Sequence, residues 1–160
     1  MSIPGSHSKS SGMRAWRSRL VSRTSNPNTW TDWPRSRRQS PAVNQVELHP
    51  YFQQGVLRDR HAEAGILTES WGPLGQGKYS LADIPEIQQI ADDTGATVAQ
   101  VVLRWHIQEG LVVIPKSVST DRLRENLAAG ELELSADQME LMRGLERGQR
   151  LGPDPSEATF

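Results

Sequence analysis

The residues best placed to do chemistry lie together in the stretch Leu111 to Asn126, Leu-Val-Val-Ile-Pro-Lys-Ser-Val-Ser-Thr-Asp-Arg-Leu-Arg-Glu-Asn. Its apolar opening, Leu111 to Ile114, reads as a strand buried on both faces. Pro115 ends that ladder, because proline has no N–H to donate. Thr120 and Asp121 are helix-starting residues, so Arg122 to Ala129 reads as a short helix. The chemistry this arrangement allows is anion binding. Backbone N–H groups and the helix dipole point at one place, and Lys116 and Arg122 add full positive charges. The turn reads as a grip for a phosphate, although its spacing is equally that of a surface turn with ordinary basic residues.

The elements that must position this turn follow from periodicity and punctuation. Val43 to Leu48 reads as a strand closed by His49-Pro50, and Ile66 to Trp71 as a second strand ended by Gly72-Pro73. Between them, Gln54 to Ala64 carries Val56, Leu57 and His61 at helical spacing, with Gly65 as its stop. The loop Pro73-Leu-Gly-Gln-Gly77 is flexible enough to lie against a ligand. Ile84 to Asp93 places Ile84, Ile87, Ile90 and Ala91 on one side of a helix ended by Gly95. Thr97 is a suitable N-cap for Val98 to Gln108, whose Val101, Val102, Leu103 and Trp105 predict deep burial. Ser135-Ala-Asp-Gln138 has the form of a capping box and opens a last helix through Leu145. The tail from Gly148 to Phe160 is loop-like. Strands alternating with helices imply βα units and parallel strands. Three such strands leave both outer edges unpaired, which predicts part of something larger and a tendency to self-associate.

Composition sets the outer limits. A chain of 160 residues can bury one core, and the absence of cysteine excludes disulfides and thiolate metal sites. No apolar run approaches the roughly 20 residues of a membrane span, and the start lacks a signal peptide's apolar core, so a cytoplasmic location is expected. His49, His61 and His106 are not spaced for a metal and read as structural. Glu47, inside a strand, needs a buried partner that the sequence does not identify. The net charge of -1 hides an asymmetry: Met1 to Ser40 holds eight Lys/Arg and one Asp, against ten Lys/Arg and eighteen Asp/Glu afterwards. That first segment shows neither helical nor strand periodicity. It can be read as a basic arm whose Trp16, Trp30 and Trp33 stack on bases. The reading preferred here is an unstructured or artefactual segment, with no nucleic-acid partner.

Four motifs, taken in order, go further. Val43-Asn-Gln-Val-Glu-Leu-His-Pro50, Trp71-Gly-Pro-Leu-Gly-Gln-Gly77, Gln100-Val-Val-Leu-Arg-Trp-His106, and Ile114-Pro-Lys-Ser117 with Arg122 and Glu125-Asn126 resemble the aldo-keto reductases, most of all their bacterial diketogluconate reductase branch. The likeness runs from Pro41 to Phe160. It implies an α/β fold, the C-terminal part of a (β/α)8 barrel with its site at the C-terminal ends of the strands. Residues 41–160 would supply the last three strands with their helices, and 1–40 a preceding segment. The activity implied is NADPH-dependent reduction of small aldehydes or ketones to alcohols, with no metal and no membrane. By the same resemblance, Lys116, Ser117, Ser119 and Arg122 stand where the family holds the 2′-phosphate of NADPH, and Glu125 and Asn126 where it contacts the adenine. Gln45 matches the residue that holds the nicotinamide carboxamide, Trp71 the ring stacked on the nicotinamide, and Leu74 and Gly75 the loop beside the pyrophosphate. The family's Tyr general acid, with its Lys, Asp and His, belongs to the first half of the barrel, which the likeness does not reach. Neither Tyr51 nor Tyr79 matches that acid. No catalytic residue is therefore assigned, and a non-catalytic NADP(H)-binding or interaction fragment is the alternative.

The segment ahead of Pro41 fits this resemblance in an unexpected way. Codons exist for Arg19 to Pro34 that, read one base earlier, spell Ala-Ile-Gly-Val-Ser-Asn-Phe-(Glu, Gln or Lys)-Pro-Glu-His-Leu-Asp-Arg-Leu-Ala. That is the strand and helix typical of the family just before this point. Residues 1–40 are thus expected to be an out-of-frame translation of reductase DNA. Sequencing the gene should return that peptide in the neighbouring frame; any other peptide there removes the explanation.

Overall fold

Alternating βα units build a single parallel sheet. The computed structural model describes residues 21–23 and 41–155. Its strands are β1 (Val21–Arg23), β2 (Val43–Glu47), β3 (Leu67–Trp71) and β4 (Val112–Val113), in the order β1-β2-β3-β4. In register, Gln45 faces Glu69 and Glu47 faces Trp71 across β2–β3, and Glu69 faces Val112 across β3–β4. The helices are α1 (Gly55–Ala64), α2 (Pro85–Thr94), α3 (Val98–Gln108), α4 (Thr120–Ala128) and α5 (Ala136–Arg143).

Local chemistry starts and stops these helices where it should. Gly65 takes a left-handed φ of 66° after α1, which a residue with a Cβ adopts only at a cost. Thr97 and Gln100 form a reciprocal capping box on α3, and Ser135 and Gln138 form another on α5. Pro85 opens α2, where its missing N–H costs no bond. The core lies between sheet and helices. Leu48, Ile87, Ile90, Val101, Val102, Trp105 and Met142 are fully buried in it, each contributing on the order of 1.5–3 kcal/mol.

Four expectations need correction. The sheet has four described strands rather than three, because Val21–Arg23 pairs with β2 inside the segment read as structureless. The outer edge of β2 offers unpaired N–H and C=O groups, and a non-local partner can satisfy them without any periodic signal of its own. The rest of that segment's reading, including Trp16, Trp30, Trp33 and most of the frame-shifted stretch, lies outside the described residues. Second, β4 is not buried on both faces: Leu111 is buried, but Val112 is 39% and Ile114 48% exposed. Side chains alternate along a strand, and among the described residues the helices cover only one face of this edge strand. Third, Val56 points outward while Leu57 and His61 are buried. Fourth, α4 starts at Thr120, with Ser119 rather than Thr120 or Asp121 as its N-cap.

Among the described residues no helix is long and apolar enough to cross a membrane, and no group of three or more His, Cys, Asp or Glu could hold a metal ion. The buried histidines have structural partners. His106 donates from Nδ1 to the Val102 carbonyl at 2.8 Å and packs edge-on against Trp105. His61 shares hydrogen bonds with Thr68 at 2.8 Å and Asn44 at 3.0 Å.

Burial disfavours the charged imidazolium and pulls His106 down to about 4, outweighing its backbone acceptors; it lowers His61 as well. The unfolded chain binds these protons near pH 6.5 and the folded chain does not, so their contribution to stability is complete above that pH. It should be lost as pH falls from about 6.5 towards about 4, by up to roughly 3 kcal/mol for His106. Urea unfolding across this range should show the decline, and His106→Asn should flatten it.

Candidate functional site

A cleft of about 650 Å³ opens at the C-terminal ends of β3 and β4. Gly72, Pro73, Leu74, Gln76 and Gly77 line one wall, and Ile114, Pro115, Lys116 and Arg122 line the other. Both walls are turns that follow strands, so the sheet register fixes their spacing.

The first wall is held in a tight shape by its glycines. The Gly75 N–H bonds the Gly72 carbonyl at 2.9 Å, and the Lys78 N–H bonds the Gly75 carbonyl at 2.9 Å. Gly75 has a φ of +71°, and a Cβ there would sit 2.6 Å from the Tyr79 ring. Only glycine fits this seat. Gln76, with a φ of 52°, is a non-glycine in the left-handed region, a conformation that costs on the order of 1 kcal/mol.

The second wall is cationic. Lys116 and Arg122 are exposed, and neither forms an ion pair among the described residues, whereas neighbouring Arg124 pairs with Asp121 at 3.1 Å. Among the described residues no carboxylate lines the cleft. Ser117 Oγ accepts from the Ser119 N–H at 3.2 Å, which folds the turn between Lys116 and α4. Ser119 Oγ accepts from the Arg122 N–H at 3.5 Å, a long bond that leaves the first amides of α4 largely free. Two uncommitted cations beside a helix N-terminus can stabilise an anion there.

The remaining predicted residues fall at different distances from this cleft. Trp71 ends β3 immediately before the lining residue Gly72; it is half-buried, and its indole N–H has no acceptor among the described residues. Gln45 lies on neighbouring β2, where its side-chain amide donates to Glu69 at 2.6 Å. Glu125 accepts from the Thr97 hydroxyl at 2.6 Å, and its carbonyl accepts from Gln100 at 3.1 Å, so it ties α4 to α3. Asn126 is half-buried further along α4. The structure therefore brings Leu74, Lys116 and Arg122 to one cleft, with Gly75, Ser117 and Ser119 in its turns. It does not bring Gln45, Glu125 or Asn126 to the cleft lining.

Sequence reasoning missed several residues here. Ile114 and Pro115, read only as a strand end and its stop, line the cleft together with Gln76 and Gly77 of the loop expected to lie against a ligand. Glu69, the partner of Gln45, carried none. The missing partners of Glu47 proved to be His49 and the backbone amides of Leu151 and Gly152, at 3.3, 2.5 and 2.9 Å. Burial pushes the Glu47 carboxyl up, but these donors outweigh it and hold the group below its ordinary value. Tyr79 extends the network, donating to His49 Nδ1 at 3.1 Å; burial first, then the nearby Tyr51 and Glu47, pushes its phenol up.

The aldo/keto reductase family profile matches residues 29–147, and the chain belongs to that family. An aldo-keto reductase from Mycolicibacterium smegmatis is 53% identical over 120 residues, which are 75% of this chain and 43% of that protein. The methylglyoxal reductase DkgA of Escherichia coli K12 is 46% identical over 118 residues, again 43% of its length. The chain thus spans less than half of these curated relatives. Among solved structures, a Gox0644 variant in complex with NADPH superposes with a TM-score of 0.80 at 42% identity, over 86% of this chain and 51% of that one. MGS-M4, an aldo-keto reductase from a Medee basin deep-sea metagenome library, gives a TM-score of 0.81 at 26% identity, over 86% of this chain and 52% of that one.

Replacing Gly75 with alanine should force the Tyr79 ring aside and strain the loop, at a cost on the order of 1–3 kcal/mol. Thermal unfolding would register the loss; an unchanged midpoint would contradict the close approach.

Proposed function

We propose that this chain carries the cofactor-gripping part of an NADPH-dependent carbonyl reductase, for substrates of the aldehyde and ketone class. The observation that carries the reading is the meeting of Lys116 and Arg122, without ion-pair partners among the described residues, in one cleft with the Gly72–Gly77 loop. A phosphorylated dinucleotide fits these residues. Two cations beside a helix start suit the 2′-phosphate dianion, and this is what favours NADPH over NADH. Ser117 and Ser119 would add hydroxyl or amide donors to the same phosphate. Leu74 and the Gly75 backbone would lie along the pyrophosphate. Trp71 would stack on the nicotinamide, and Gln45 would hold its carboxamide. Glu125 and Asn126 would face the adenine. When bound, the cofactor supplies a hydride for transfer to the carbonyl carbon.

The proton donor is a separate matter. Tyr79 is hydrogen-bonded to His49, and Tyr51 is buried beneath the Arg147 guanidinium, so neither offers its hydroxyl to the cleft. We place the general acid in the part of the family barrel that this chain does not span, consistent with its 43% share of the relatives. We read residues 1–40 as the product of a shifted frame, and the setting as cytoplasmic.

A second reading, a non-catalytic NADP(H)-binding or interaction fragment, is favoured by the exposed apolar residues Leu67, Val112 and Ile114 on the open face of the sheet. Such a face and edge invite pairing with another chain or another copy. Fluorescence titration of the full chain should show NADPH binding, with Lys116→Ala and Arg122→Ala each weakening it about tenfold while NADH changes little. Turnover of a small aldehyde measured in parallel separates the two readings. Equal loss of NADH and NADPH binding would sink the phosphate assignment.

A further inference from the structure

The Glu47 carboxylate does not line the cleft, yet distant segments converge on it. Its side chain is fully buried. One carboxylate oxygen accepts from Leu151 N and the other from Gly152 N, residues 104 and 105 positions downstream. The Arg150 guanidinium lies 3.7 Å away. The same downstream segment is bound to the β2–α1 connection at further points. The amides of Arg147 and Gln149 both donate to the Tyr51 carbonyl, at 3.1 and 3.0 Å, and the Glu146 carboxylate accepts from the Gln53 N–H. Arg147 and Arg150 lie over the rings of Tyr51 and Phe52, 4.0 and 4.5 Å from their centroids. Residues 146–152 thus form a strap laid across the end of β2.

The strap ends against Trp71. A Cβ on Gly152 would be 2.7 Å from Trp71 Cη2 and 2.9 Å from Glu47 Oε2, so the glycine backbone itself forms the wall beside the indole. Glu47 is also the register partner of Trp71 across β2–β3. Because the indole N–H has no acceptor among the described residues, no hydrogen bond from them orients the ring, and packing does so.

We propose that Glu47 is a positioning residue for Trp71. Through the amides of Leu151 and Gly152, its carboxylate clamps the strap against the outer edge of the indole and fixes the ring where the cleft begins. Two acceptor oxygens meeting two successive N–H donors require a carboxylate. A glutamine of the same shape turns one oxygen into an NH₂ group that faces an N–H. The inference deepens the cofactor reading and rests on it for the role of Trp71.

The test uses the full chain, Glu47→Gln, a variant ending at Gln149, and the two changes combined. Amide hydrogen exchange at Leu151 and Gly152 should accelerate at least about tenfold in Glu47→Gln. The Trp71 contribution to fluorescence, taken as the difference from Trp71→Phe, should move to longer wavelength in both single variants. NADPH should bind several-fold more weakly in each, and the combined variant should be no worse than either alone, because both remove one interaction. Additive losses, or a freed strap with unchanged Trp71 emission, overturn the proposal. Gly152→Ala, which leaves the carboxylate in place, should shift the same emission by displacing the ring; no shift there also overturns it. Failure of the unaltered chain to bind NADPH would defeat the cofactor reading instead, and exchange and emission would still decide the role of Glu47.

Discussion

Among the described residues, a parallel sheet that helices cover on one face only is the constraint from which the rest of the molecule follows. Side chains alternate along each strand, so every residue of β2 to β4 belongs either to the helix-packed core or to the open face. Asn44, Val46, Thr68 and Ser70 take the core side and are buried. Gln45, Leu67, Glu69 and Trp71 take the other. The register then sets Gln45 beside Glu69, and Glu69 beside Val112. Polar residues on that face find one another, as Gln45 and Glu69 do, while Leu67 and Val112 remain exposed. In a closed barrel such a face becomes interior, which agrees with barrel neighbours of which this chain covers about half.

Fixing the sheet fixes the cleft. The turns after β3 and β4 leave from the same end of adjacent strands, so they must flank a common space. One turn brings glycines that let backbone approach a ligand closely; the other brings charge and the start of α4. The helical side stays rigid beneath them, because α3 is capped at its start and buries Trp105 completely. Glu125, read from resemblance as a nucleotide contact, is seen here bracing α4 against that helix. By steadying the helix, this residue also sets where its first turn points.

Legibility in the sequence divided along a physical line. Elements set by local chemistry were readable, because a capping residue or glycine stop acts within a few positions: Thr97 on α3, Ser135 and Gln138 on α5, Gly65 after α1. The turn carrying Lys116 and Arg122 was readable for the same reason. Whatever depended on distant partners was not. The exposure of Val112 and Ile114 is decided by what covers the sheet, not by their apolar character. The pairing of Val21–Arg23 with β2 left no periodic trace. Glu47 announced that it needed partners, but backbone amides of a loop carry no residue-type signal, so nothing pointed to Leu151 and Gly152.

That last contact bears on how the chain acquires its shape. Contacts separated by 104 and 105 positions must wait for most of the polypeptide to be made and collapsed. Until then the Glu47 carboxylate keeps its water, since losing it without donors in place would cost several kcal/mol, on the order expected for an uncompensated buried ion. Closing the strap is therefore both a long-range event and a dehydrating one. The end of β2 can be both buried and free of water only with those downstream amides in place.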